Sequence, residues 1–182
     1  VYTPTVSGTS WSLALSSSDL QTLFTSDGTS SVEVTLKNGS NTITSSAIQN
    51  FTVDTHAPSL TVTGVNISAD TGVSSGDFVT KTATQTITAN LSAALSEGDI
   101  LQGSTDGGAT WTNITMASGS TSITWDNATL SGSSSIVFKL VDAAGNSGSS
   151  TGSTSYVLDT TAPSSTISSI SENASGGVTL SG

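Results

Sequence analysis

Short runs of alternating β-branched and polar residues recur along the chain: TITANL at 86–91, SITW at 122–125, SIVFKLV at 135–141 and TSYVL at 154–158. Period-two alternation sets one side of a run against a core and the other in water. Bounded by Gly, Ser, Asp and Asn clusters, these runs predict half-buried antiparallel strands. Helical periodicity is confined to one place. Residues 16–24 (SSSDLQTLF) open on a capping Ser or Asp and set Leu20, Leu23 and Phe24 at i, i+3 and i+4, which predicts one short helix between strands.

A repeat organises these elements. TVDTHAPSL at 52–60 returns in near copy as VLDTTAPSS at 157–165, placing Asp54 and Asp159 105 positions apart. Between them the pattern predicts seven strands, at 59–64, 85–91, 100–104, 110–115, 121–125, 135–141 and 153–158. About 100 residues with seven short strands is the size of an immunoglobulin-like sandwich. The expected fold class is therefore all-β, with tandem immunoglobulin-like β-sandwiches joined by short Pro-containing linkers. Residues 1–56 read as the C-terminal part of a first repeat, with strands near 10–15, 31–37 and 49–53. Residues 57–162 read as a complete repeat and 163–182 as the start of a third. Pro58 and Pro163 fix φ, bias Ala57 and Ala162 towards extended geometry and offer no N–H to a ladder, so they stiffen the passage between repeats.

Composition narrows the chemistry. Ser and Thr make up more than a third of the chain, while charged residues are only 9% of it, so hydroxyls rather than ion pairs solubilise the surface. A formal charge of −10, with three lysines and no arginine, opposes a phosphate backbone, which needs cations to displace its counterions. Nucleic acid is not an expected partner, and no apolar run is long enough to insert in a membrane. Without cysteine, and with one His and one Met, disulfide and soft-metal sites find no material.

The acids fall in loops. Alternating strands put every second loop at the same end of a sandwich. One pole then collects Asp54, Glu97, Asp99, Asp142 and Asn146, the last two from DAAGN at 142–146. The other collects Asp70 and Asp77 from the 65–80 loop, Asp106, Asp126 and the exit residue Asp159. Carboxylates gathered without Lys or Arg repel one another, and a divalent cation removes that cost. Oxygen-only ligands in flexible loops suit Ca2+, with Mg2+ second because of its stricter octahedral demand. For any one of these acids, the competing expectation is an ordinary turn residue.

The order of VDTHAP and LDTTAP at the junctions, DTGVSSGD at 70–77, DGGATW at 106–111 and DAAGN resembles the tandem bacterial Ig-like repeats of giant secreted adhesins. These form the extender regions of RTX-type and type I-secreted adhesins. WSLALSSSDLQTLFTSDGTSSVEVTL at 11–36 resembles the second half of a sister repeat. The resemblance implies a secreted, cell-surface spacer whose partners are neighbouring repeats of the same chain. A distal module of such a protein would contact a host or surface ligand. It also implies calcium at junctions and poles, with Asp54, Asp99 and Asp142 at the junction and Asp70, Asp77 and Asp159 opposite. LKNGSN at 36–41 departs from the pattern where the family has Asp-Ala-Ala-Gly-Asn.

No catalytic constellation stands out. His56 occupies a linker where the sister copy has Thr161, which suits a turn substitution better than a triad. Paired carboxylates for glycoside hydrolysis would need a cleft that one sandwich does not supply. Trp11 and Trp111, at similar positions in the two repeats, are expected in packed cores, with Trp125 less clearly so. A glycan- or protein-binding module is the rival reading, and a self-assembling filament subunit a third.

Overall fold

The computed structural model describes residues 2–181, so the outermost positions of the two terminal segments, 1 and 182, lie outside it. The chain is nearly all β. It begins with β1 (Thr5–Ser7) and β2 (Ser10–Ser12), an antiparallel pair that turns at Gly8, whose φ is +63°. The expected helix is α1 (Ser17–Leu23). Ser16 caps it by accepting the Asp19 N–H, and the Asp19 carboxylate accepts the Ser16 N–H at 3.0 Å, a reciprocal box that satisfies the first free amides. A long hairpin follows, β3 (Gly28–Lys37) with β4 (Ile43–Val53), paired from Gly28↔Val53 to Lys37↔Ile43.

The next eight strands are β5 (Val62–Ile67), β6 (Val79–Thr80), β7 (Thr84–Leu91), β8 (Ile100–Ser104), β9 (Thr112–Ile114), β10 (Ser122–Thr129), β11 (Ser133–Val141) and β12 (Thr151–Leu158). They form two sheets, ordered β10-β7-β5 and β6-β12-β11-β8-β9. One buried cluster draws on both: Ile87, Ile123 and Trp125 from the first, and Leu101, Ile136, Phe138 and Leu140 from the second. Along β11 the alternation is visible in Ile136, Phe138 and Leu140, each 2% exposed or less. Each such side chain contributes about 1.5–3 kcal/mol on leaving water. The chain ends in a further hairpin, β13 (Ser169–Glu172) with β14 (Val178–Ser181).

All seven strands expected between the two repeats occur near their expected places. β10 continues to Thr129 through a bulge between Trp125 and Ala128, where Asn127 takes φ +57° and resets the alternation. β6 has no sequence signature because two residues are too few to alternate. It is held by a parallel register with β12 and by the Asp159 N–H donating to the Thr80 carbonyl.

The tryptophans reverse their expected roles. Trp125 is the core residue, packed edge-on against Phe138 at 6.3 Å, and its ring lies 2.5 Å from where a Cβ on Gly103 would stand, so that position tolerates only glycine. Trp11 is 52% exposed. Trp111 is half-buried on the outer side of its sheet, where the Lys139 ammonium sits 4.3 Å from the ring centroid. Strand parity decides this. Trp125 shares the inward parity of Ile123 on β10, whereas Trp111 precedes β9 out of phase with the inward-facing Ile114.

Candidate functional site

The first Asp-Thr-x-Ala-Pro segment is fixed by its own aspartate. Asp54 Oδ1 accepts the His56 N–H at 3.0 Å, and Asp159 Oδ1 accepts the Thr161 N–H at 2.9 Å, so both copies form the same Asx turn before proline. At the first copy, contacts arrive from both sides. From the β11–β12 loop, the Asn146 side-chain amide donates to the Asp54 carbonyl at 3.0 Å and to Asp142 Oδ2 at 2.9 Å. Asp142 Oδ1 holds that loop through the Ala144 and Asn146 N–H groups. These bonds, the Asn146 amide first, keep the Asp142 carboxyl below its ordinary range.

From the other side comes Asp27, at the turn before β3. Its Oδ1 accepts the Thr55 N–H at 2.9 Å and hydroxyl at 2.7 Å, and its Oδ2 meets His56 Nδ1. The Thr55 hydroxyl, then His56, hold Asp27 down to about 2, while Asp27 pushes the His56 imidazole up. Sequence reasoning missed Asp27 altogether. Its one signal is the Asp27-Gly28 dipeptide, which reads as a turn, and nothing local reveals a partner 28 residues away.

Glu97 and Asp99 lie on a loop that abuts the Asp142 loop, since a Cβ on Gly98 would stand 2.7 Å from the Ala143 Cβ. The Asp99 carboxylate, however, accepts the Ser96 N–H of its own turn. Among the described residues, the one group of three acid or imidazole side chains with ligand atoms within 4.8 Å is Asp27, Asp54 and His56. The structure thus brings together Asp54, Asp142 and Asn146, adds Asp27 and His56, and leaves Glu97 and Asp99 beside them.

At the opposite end, Asp77 Oδ1 accepts the Val79 N–H and Oδ2 the Ser74 N–H, both at 3.0 Å. Those two amides, Val79 first, lower its carboxyl, with a further contact from Asp70. Asp70 Oδ2 accepts the Phe78 N–H at 3.1 Å, whereas its Oδ1 is buried and has no partner. Gly72 passes close to Asp77, for a Cβ there would lie 2.6 Å from Asp77 Oδ1 and 2.9 Å from the Val79 carbonyl. Phe78 takes φ +58°, an uncommon conformation for a bulky residue, at the point where the loop turns into β6.

Asp106 is a turn acid and Asp126 a strand acid. Asp106 accepts the Ser104 and Thr110 hydroxyls, both at 2.6 Å, and the Thr110 N–H, which hold it well below the carboxylate range. Asp126 accepts the Thr86 hydroxyl. No family model and no curated protein matches this chain.

Proposed function

We propose that the chain is a run of immunoglobulin-like repeats from the extender region of a secreted, cell-surface bacterial adhesin. In this reading calcium stiffens the chain and no catalysis occurs. The fold part rests on two sheets of three and five strands closing over one core within residues 62–158. The tandem part is supported by the like Asx turns at Asp54 and Asp159, which fit a reading of residues 1–56 as the end of one repeat, 57–162 as a complete one and 163–182 as the start of a third.

The single observation that carries the calcium reading is Asp70 Oδ1, a buried carboxylate oxygen with no partner beside a second carboxylate. The only ion pair among the described residues, His56 with Asp27, is elsewhere. A desolvated acid without counter-charge is costly, and a hard cation removes that cost. The residues fit such an ion. Asp70, Asp77 and the Val79 carbonyl supply oxygens only, and Gly72, without a side chain, lets the backbone pass close to Asp77 and the Val79 carbonyl. Bound there, calcium would neutralise both acids and tie the 70–77 loop to β6. At the first junction Asp54 and Asp142 would serve the same end, and the Asp54 turn already bonds to Asp27 on one side and Asn146 on the other.

The glycan-binding rival draws support from Trp11 and its exposed neighbour Tyr2, since Trp125 is buried and Lys139 caps Trp111. Calorimetric titration and thermal unfolding test the proposal. Calcium should raise the unfolding midpoint of residues 62–158, and Asp70→Asn, which keeps the Phe78 bond, should remove most of the rise. Equal midpoints in calcium and in excess chelator would overturn it.

A further inference from the structure

The β3–β4 loop opens on Asn38-Gly39, where the β11–β12 loop opens on Asp142-Ala143. The two loops make the same bonds. Asn38 Oδ1 accepts the Ser40 N–H at 3.0 Å and the Thr42 N–H at 2.9 Å, as Asp142 Oδ1 accepts those of Ala144 at 2.9 Å and Asn146 at 2.8 Å. The N–H of the opening residue donates to the Thr42 carbonyl in one loop and to the Asn146 carbonyl in the other. Its carbonyl accepts from Asn41 and from Gly145, both of which take positive φ. The β13–β14 loop repeats the set, with Asn173 Oδ1 accepting the Ser175 and Gly177 N–H groups and Gly176 at positive φ. Carboxamide and carboxylate fit this loop alike, because the backbone bonds only to the Oδ1 that both possess.

The loops differ in reactivity. Asn38 is the one asparagine of nine that glycine follows. Its side chain folds forward to reach the Ser40 N–H, closing a ring that contains Cγ and the Gly39 nitrogen and holds them near each other. The two N–H groups on Oδ1 stand where negative charge gathers when that nitrogen adds to Cγ. Gly39 has no Cβ to restrict its backbone as the imide ring closes, whereas Ala174 follows Asn173. In the β11–β12 loop, residues 143–145 stay exposed beside the linker that bonds Asn146, so water reaches this part of the loop in a filled junction.

We infer that Asn38 is a modification site at which the chain converts its own asparagine to an acid, with water as the only co-reactant. The Gly39 nitrogen gives its proton to solvent base and bonds to Cγ. The Cγ–Nδ2 bond breaks, and Nδ2 leaves as ammonia with a proton from water. Water then opens the imide: cleavage at Cγ–N gives aspartate at position 38, and cleavage at the backbone C–N gives its β-linked isomer. The aspartate product finds the loop of Asp142 ready made and adds a negative charge at the tip of the β3–β4 hairpin. In the calcium reading, on which this clause alone rests, it supplies the loop acid that Asp142 supplies further along the chain.

Peptide mapping by mass spectrometry tests it on the full chain, incubated for weeks in excess chelator at neutral and at mildly alkaline pH. Position 38 should show the amide-to-acid mass change, faster at the higher pH, while Asn173 keeps its amide. Gly39→Ala, where the new Cβ meets nothing within 4 Å, should slow the conversion about tenfold or more. Asn38→Asp should keep hydrogen-exchange protection at the Thr42 amide and show no further mass change at that position. An intact Asn38 after the incubation, conversion of Asn173 at the same rate, or a Gly39→Ala chain that converts as fast would each overturn the inference. Lost protection at Thr42 in Asn38→Asp would overturn the fit of the product to the loop. A failed calcium titration would overturn the calcium clause and leave the modification standing.

Discussion

The two Asp-Thr-x-Ala-Pro segments have the same local geometry and different surroundings. In both, an aspartate oxygen accepts the N–H two residues on, at 3.0 Å for Asp54 and 2.9 Å for Asp159. The second is held from outside through its backbone, Asp159 N–H donating to the Thr80 carbonyl, whereas the first is gripped by side chains, Asp27 on one side and Asn146 on the other. Gly28, opposite Val53, and Gly132, whose carbonyl accepts the Leu158 N–H just before the β11–β12 register begins, align Asp27 with Ser131. Asp27 and His56 of the first junction are thus replaced together by Ser131 and Thr161 at the second. A five-residue motif suffices for the turn; a rigid joint needs residues brought from elsewhere in the chain.

The largest effect separates the two halves of the grip. Phe138→Ala empties the centre of the core and should cost residues 62–158 about 3–5 kcal/mol. In thermal unfolding the Asn146 contact should be lost with that unit, while Asp27 keeps its hold on Thr55. Next, Asp27→Ala removes three contacts at once. Amide exchange at Thr55 and His56 should rise several-fold, and exchange at Thr161 should not change. Transplanting the pair, Ser131→Asp with Thr161→His, should slow exchange in the second linker towards that of the first.

A smaller effect comes from pH. Asp27 is lowered from 3.8 to about 2, so its contribution is complete above 3.8 and fades as pH falls towards 2. His56 is raised from 6.5, so its contribution is complete below 6.5 and is lost as pH rises through its raised value. Measured in chelator, protection of the Thr55 amide should be greatest between about pH 4 and 6.5 and decline on either side. Smallest of all, Asn146→Ala breaks the bonds to Asp54 and Asp142, and should loosen the 142–146 loop in exchange measurements without moving the unfolding midpoint of the core appreciably.

Much of the β architecture was legible because alternation is a local signal. The 85–91, 100–104 and 135–141 runs occur as strands within two residues of their expected ends, and the helix with its Ser16 cap follows from four residues. What escaped depends on distant partners. β6 exists only because β12 runs beside it, and the roles of the tryptophans turn on which parity faces the second sheet. The acids divide in the same way. Asp106 and Asp99 bond within their own turns, which sequence spacing alone cannot separate from Asp70, whose Oδ1 is buried without a partner. Asp27 was missed because its partners, Thr55 and His56, enter only when the β3–β4 hairpin closes.

Small-angle scattering of the chain in calcium and in excess chelator, at a concentration where it is monomeric, tests the central claim most directly. A spacer stiffened by ions should give a longer, narrower distance distribution in calcium and a shorter, broader one without it. Superimposable curves would contradict the account, leaving Pro58, Pro163, the Asx turns and the side-chain contacts of Asp27 and Asn146 as the joint.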